Sequence, residues 1–187
     1  MPGTDKPNMD TVPAMALFSA KKPLKRNVTW QYEGPVLTDF GHQLSRTYEC
    51  PDLFQLDGKT VAIGALMHYR DKQGRFQQVR WYVGDLKDTA DGPRLQVGNS
   101  DWCDFGTGYY ATQSFAADDG RRIVFGWYTD FPAMRVEKPC IANGMMSLPR
   151  ELHVRDGRLT SRPVKEAYEQ LLGDRFGTRM QLKRDLL

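Results

Sequence analysis

The sequence predicts an all-β protein built from antiparallel four-stranded units. Three observations predict it. Short β-prone runs recur along the chain, X-Gly pairs separate them, and a single segment has helical spacing. In order, the runs fall at 14–19, 28–32, 50–56, 60–69, 77–86, 94–97, 109–116, 121–128, 144–154 and 158–161. The turn pairs are Asp57-Gly58, Gln73-Gly74, Asp91-Gly92 (followed by Pro93), Asp119-Gly120 and Asp156-Gly157, each a hairpin signal between β-prone flanks. Only 164–172 reads as a helix, with apolar residues at Val164, Ala167, Tyr168, Leu171 and Leu172.

The runs group in fours: 50–56, 60–69, 77–86 and 94–97, then 109–116, 121–128, 144–154 and 158–161. Four-stranded meanders repeated along a chain are the sequence form of propeller blades. A β-sandwich is the competing architecture. In a propeller the first strand of each blade lines the central axis, so Glu49 in one quartet and Tyr110 with Gln113 in the next would converge there. Two quartets and a partial one do not close a ring of four to eight blades. The chain is therefore expected to be part of a larger domain. Residues 1–12 are expected to be disordered, 13–172 to be the propeller portion, and 173–187 to be a linker.

Composition narrows the function. Of 187 residues, 26% are charged and 40% are apolar, which is a globular balance. The formal net charge is +3, and the one basic cluster, Lys21, Lys22, Lys25 and Arg26, has no interleaved aromatic residue. Nucleic acid is not an expected partner. No apolar run reaches the roughly 18 residues of a membrane span. Met1 to Asp10 contain no apolar core of a secretory signal, and localisation is not readable. Three cysteines (Cys50, Cys103, Cys140) and three scattered histidines (His42, His68, His153) have no disulfide or metal-ligand spacing. No metal and no cofactor is expected.

The segment Tyr48-Glu49-Cys50-Pro51-Asp52-Leu53-Phe54 carries the chemistry. It sets a carboxylic acid directly before a Cys-Pro step at the mouth of an apolar run. The residue before a proline is biased toward extended backbone, so Cys50 is expected to be extended and Glu49 to sit on a stiff strand start. A general acid needs such positioning.

That run resembles the Glu-Cys-Pro-Asp motif of glycoside hydrolase family 32, which includes invertases, sucrose-6-phosphate hydrolases, levanases and inulinases. Further stretches resemble the family in its order. They are residues 28–37 (VTWQYEGPVL), 104–115 (DFGTGYYATQSF), 120–127 (GRRIVFGW), 146–152 (MSLPREL) and Arg162-Pro163-Val164. The likeness covers about residues 14–170. It implies a five-bladed β-propeller with a funnel-shaped active site, followed by a β-sandwich; here the chain is expected to hold the end of blade three, blades four and five, and in 173–187 the linker or start toward the sandwich. It also implies hydrolysis of β-fructofuranosidic bonds with retention. Glu49 matches the family's acid/base. Cys50, Asp52, Tyr110 and Trp127 fall at substrate-binding positions, Asp52 fixing the geometry around Glu49 rather than reacting. Gly108 departs from the pattern, where an Asp is common. Arg150 and Gln113 are expected to be structural, and Trp30, Trp81 and Trp102 to be core or blade contacts.

A retaining glycosidase needs two carboxyl groups about 5–5.5 Å apart, one to shuttle the proton and one to attack the anomeric carbon. The acid of such a pair has to hold its proton near neutrality, which desolvation or a neighbouring carboxylate achieves. The family's other carboxylates lie in Asn-Asp-Pro and Arg-Asp-Pro motifs. This sequence has no Asn-Asp-Pro, and Arg70-Asp71, Arg155-Asp156 and Arg184-Asp185 are not followed by Pro. The chain alone is therefore expected to lack the nucleophile and to be inactive. The expected partner is a fructose-containing sugar, and the oligomeric state is not readable. Two other readings remain open here: a related five-bladed glycosidase of arabinanase type, and a non-catalytic carbohydrate-binding module.

Overall fold

The structure is a computed structural model, and it describes residues 12–21, 28–42, 47–106, 108–128 and 144–171. The segments expected to be a disordered start (1–12) and a linker (173–187) lie, apart from Val12, outside the described residues. Eleven strands, one α-helix and a short 3-10 helix (Phe40–His42) are described, and the strand pairings among the described residues are antiparallel.

Strands β1 (Ala14–Ser19) and β2 (Gln31–Thr38) form a two-stranded sheet. Strands β3 (Tyr48–Leu56), β4 (Lys59–Leu66), β5 (Val79–Thr89) and β6 (Gly92–Trp102) form a meander in sequential order. The next sheet has the order β7 (Tyr109–Ala116), β8 (Arg122–Tyr128), β10 (Arg150–Arg155), β11 (Arg158–Pro163), with β9 (Met145–Met146) also paired to β8. The two predicted quartets are thus two sheets. Helix α1 (Lys165–Leu171) follows, where helical spacing predicts it.

Local chemistry explains the meanders. Asp57 and Gly58 both have positive φ, as do Asp156 and Gly157. Two consecutive left-handed residues make the turn whose twist matches a two-residue hairpin. Where the structure departs from the expected runs, a local cause is visible. The run 144–154 splits into β9 and β10, because Ser147 leaves the ladder. Its backbone N–H and Oγ both bond to Gly126, and Pro149 follows. Strand β2 begins at Gln31 and passes through Gly34-Pro35, with register shifts against β1 on either side of that pair.

The core is layered. Strand β4 is buried along nearly its whole length and alternates between two clusters. Val61, Ile63 and Ala65 join Phe54, Val79, Trp81 and Val83 against Tyr110, Val124 and Leu152 of the next sheet. Ala62 and Leu66 join Tyr48, Tyr82 and Leu95 against Met15, Val36 and Leu37 of the first. Each fully buried Val, Ile or Leu contributes about 1.5–3 kcal/mol. The middle sheet is therefore packed on both faces, as a propeller blade is between its neighbours. The sandwich alternative, with one shared core between two sheets, does not describe this arrangement. Trp81 is core and Trp102 packs against the second cluster, as expected, but Trp30 is 54% exposed at the start of β2.

Candidate functional site

The site is built on a bulge that occurs twice. In β3 the pairing runs Glu49 to Ala65 and then Asp52 to Ile63, so Cys50 and Pro51 together oppose Gly64. In β7 it runs Tyr110 to Trp127 and then Gln113 to Phe125, so Ala111 and Thr112 oppose Gly126. Cys50 has φ +49° and Ala111 has φ +48°. The expectation that Pro51 makes Cys50 extended is overturned. The extra residue of a bulge is accommodated by left-handed backbone, and the surrounding ladder outweighs the pre-proline preference.

Each bulge needs its glycine. A Cβ on Gly64 would come within 2.7 Å of the Tyr48 ring, and one on Gly126 within 2.2 Å of the Tyr109 ring. The tyrosine before each site residue thus lies over the glycine across the ladder. The bulge also resets the alternation of β3. Ala65 and Ile63 share a face of β4, so Glu49 and Asp52 share a face of β3, which regular alternation would forbid at their spacing.

An open depression lies where the first strands of the two sheets meet. Tyr48, Glu49, Cys50, Pro51, Met67, Gln77, Tyr110, Ala111 and Trp127 line it. The Tyr110 hydroxyl donates to Glu49 Oε2 at 2.6 Å. Burial, and then that hydrogen bond, push the Tyr110 phenol far above its ordinary range. Burial, with Glu49's charge second, raises the Cys50 thiol. Both groups are thereby kept neutral beside the carboxyl.

The structure brings Glu49, Cys50, Tyr110 and Trp127 together, and it does not bring Asp52 to the depression. Asp52 Oδ2 accepts the backbone N–H of Ser114 at 3.0 Å and also its hydroxyl, and Oδ1 accepts Arg122 Nη2 at 3.2 Å. The Arg122 guanidinium also lies 4.0 Å from the centre of the Phe54 ring. Asp52 is a tie between the two sheets, three residues from Glu49. Arg150 is likewise paired, to Asp104 at 2.9 Å and to the Tyr128 hydroxyl at 2.6 Å.

Met67 and Gln77 were not expected at the site. Both belong to the connection between β4 and β5, where His68 and Gln77 have positive φ. Gln77 Oε1 accepts the His68 N–H at 3.3 Å, which fixes the side-chain amide. Among the described residues, six non-glycine residues have positive φ; Asp57 and Asp156 serve hairpin turns, and the other four line or adjoin the depression. Clustered backbone strain is the one general signal that could have marked Gln77, and it is not visible in sequence.

Chemically, the depression offers one carboxyl, one thiol, the Tyr110 phenol, an amide and an indole. Glu49 is the only carboxyl among the described lining residues. It can give and take a proton, and aromatic walls suit the apolar faces of a sugar ring. No group of three or more metal-ligating side chains is found among the described residues.

Comparison with known proteins adds a family context. Residues 12–163 match the family described as "Glycosyl hydrolases family 32 N-terminal domain". The sequence is 32% identical over 162 residues to a sucrose-6-phosphate hydrolase of Vibrio alginolyticus, covering 82% of this chain and 31% of that protein. It is 31% identical over 132 residues to a levanase of Bacillus sp. strain L7, covering 64% of this chain and 14% of that protein. Among solved structures, a glycoside hydrolase of family 32 from Bifidobacterium adolescentis is similar with a TM-score of 0.85 and 80% identity. That likeness covers 90% of this chain and 27% of the other. The chain spans about a third or less of the length of these relatives.

Proposed function

The chain belongs to glycosyl hydrolase family 32, and from that premise we propose that it supplies the acid/base side of a β-fructofuranosidase active site. The observation that carries the reading is the Tyr110–Glu49 hydrogen bond at the floor of the depression, with Cys50 and Trp127 beside it. Glu49 acts as proton donor to the leaving oxygen and then as the base that activates water. Tyr110, held as a neutral phenol, donates to Glu49 and so fixes the orientation of its carboxyl. Cys50, Tyr110 and Trp127 form the sugar wall. Asp52 holds the bulge that presents Glu49 rather than touching sugar. The described residues from Pro13 to Leu171 are assigned to the propeller portion.

What the relatives are called supports sucrose, sucrose-6-phosphate or a fructan as the substrate class. The chain carries no Asn-Asp-Pro segment, so the covalent fructosyl step has no nucleophile in it. Losing a covalent nucleophile costs several orders of magnitude in rate. The purified chain is expected to bind fructosides without turning them over. Assay on sucrose and inulin, with product sugar quantified, checks this; sustained multiple turnover by the chain alone would sink it.

A further inference from the structure

We propose that Arg122 is a positioning residue for Glu49, acting through Asp52 across the seam between the middle and last sheets; this rests on the reading of Glu49 as acid/base. Glu49 belongs to β3 of the middle sheet, and the Tyr110 that donates to it belongs to β7 of the last one. Their hydrogen bond therefore spans two sheets, and neither ladder fixes its length. A knot of Asp52, Ser114 and Arg122 registers the two sheets beside it. Asp52 stands three residues after Glu49 on the same face of β3, and Ser114 stands four residues after Tyr110 on β7. At about 3.3 Å per residue, the knot lies roughly 10 Å along the strands from the carboxyl.

Arg122 closes the knot. Its Nε donates to Ser114 Oγ at 2.8 Å, and its Nη2 donates to Asp52 Oδ1 at 3.2 Å and to the Ser114 carbonyl at 3.4 Å. The Ser114 hydroxyl donates in turn to Asp52 Oδ2, which also accepts the Ser114 N–H at 3.0 Å. The guanidinium lies 4.0 Å from the centre of the Phe54 ring, so β3 is gripped two residues beyond Asp52 as well. The Arg122 and Asp52 side chains are 18% and 13% exposed, which sets this pair apart from the solvent-screened pairs that contribute little. A planar fork serves a hydroxyl, a carboxylate and a ring face together, whereas an ammonium is a compact point charge. The preceding residue shows the contrast. Arg121 binds the exposed Asp119 and Glu166 and takes no part in the knot. Arg122 does not line the depression. Its effect therefore falls on the placement of the proton donor, which is read in kcat, and not on the sugar wall, which is read in KM.

The test needs a complete active site, so residues 12–163 are placed in the propeller of the 80% identical Bifidobacterium adolescentis glycoside hydrolase. The assay uses a fructoside that the host hydrolyses. Arg122→Lys keeps the charge and loses the fork. It should lower kcat about 10- to 100-fold, the scale of a small misplacement of a catalytic group, with KM within about twofold. Arg121→Lys should change neither. Adding Arg122→Lys to Asp52→Asn should cost less than about twofold more, because the two residues share one network; full additivity would contradict the route through Asp52. A lower urea midpoint with unchanged kcat in Arg122→Lys would make Arg122 a structural tie and overturn the proposal. A raised KM with kcat kept would place it in sugar binding and overturn it as well. Should Arg122→Lys fail to fold, Ser114→Ala decides. It deletes one hydroxyl of the knot and no charge, and should lower kcat about threefold; unchanged kcat there would contradict the role. Glu49→Gln in the same chimera checks the premise. Loss of kcat in Glu49→Gln with full kcat in Arg122→Lys leaves Glu49 as acid/base and overturns the role of Arg122 alone. Full kcat in Glu49→Gln overturns both.

Discussion

Replacing Glu49 by Gln removes one of the two causes that raise the Cys50 thiol, its charge, and leaves the other, burial, in place. Alkylation of Cys50 by iodoacetamide should therefore shift to lower pH in Glu49→Gln, because the thiolate is the reacting form. Peptide-resolved mass spectrometry across pH 7–10 reads this at Cys50 apart from Cys103; coincident profiles would show that the two groups do not sense each other. Glu49 and Cys50 were legible in the sequence because they stand in one contiguous motif. The backbone at Cys50 was not, since the pre-proline rule points to extended chain and the bulge overrides it. Asp52 was legible as part of the same motif, but its partners Ser114 and Arg122 lie 62 and 70 residues away. Met67 and Gln77 were invisible for a similar reason. They reach the site through the path of the β4–β5 connection, and no local pattern announces it.

The bulge recurs in two blades with the same parts: tyrosine, site residue, left-handed residue, and a glycine across the ladder. Gly64→Ala and Gly126→Ala should each cost about 1–3 kcal/mol by forcing a Cβ into a tyrosine ring. Urea unfolding measures this; a cost near zero in both would mean that the rings are not held there. A second device joins the first sheet to the middle one. Asp39 accepts hydrogen bonds from Tyr48 at 3.1 Å, from His42 Nδ1 at 2.7 Å and from Tyr82. Burial raises the Asp39 carboxyl, but the bonds from His42, Tyr82 and Tyr48 and the charge of His42 outweigh it and hold it well below the usual range. The folded form is therefore favoured by an ionised Asp39. That contribution is complete above the unfolded carboxylate range, about pH 4, and is lost as pH falls through the lower folded value. Stability of the wild-type chain should drop more steeply below pH 4 than that of Asp39→Asn, as read by urea midpoints from pH 2.5 to 6. Parallel acid limbs would contradict the network. Strand existence was readable from β-prone runs and Asp-Gly turns. Extents were less so: β6 runs on to Trp102 through Asn99, Ser100 and Asp101, polar residues that mask a strand held by ladder pairing to β5.

Three consecutive sheets, the middle one packed on both faces, make the chain a run of propeller blades within family 32. Its outward faces carry exposed Phe18, Trp30 and Tyr32 on the first sheet and Phe115, Met145 and Met146 on the last. The quartet grouping was readable because each blade is a local meander. The depression was readable only in part, because it is assembled from the starts of β3, β5 and β7 and the ends of β4 and β8. The proposed chemistry rests on Glu49 working opposite carboxylates that this sequence does not contain. The most direct test therefore places the segment in a complete propeller. Residues 12–163 of this chain, substituted for the corresponding part of the 80% identical Bifidobacterium adolescentis enzyme, should hydrolyse the fructosides that the host hydrolyses. The same chimera with Glu49→Gln should lose about 10²–10⁴ in kcat, the usual worth of a general acid–base. An active chimera whose Glu49→Gln variant keeps its kcat would contradict the account.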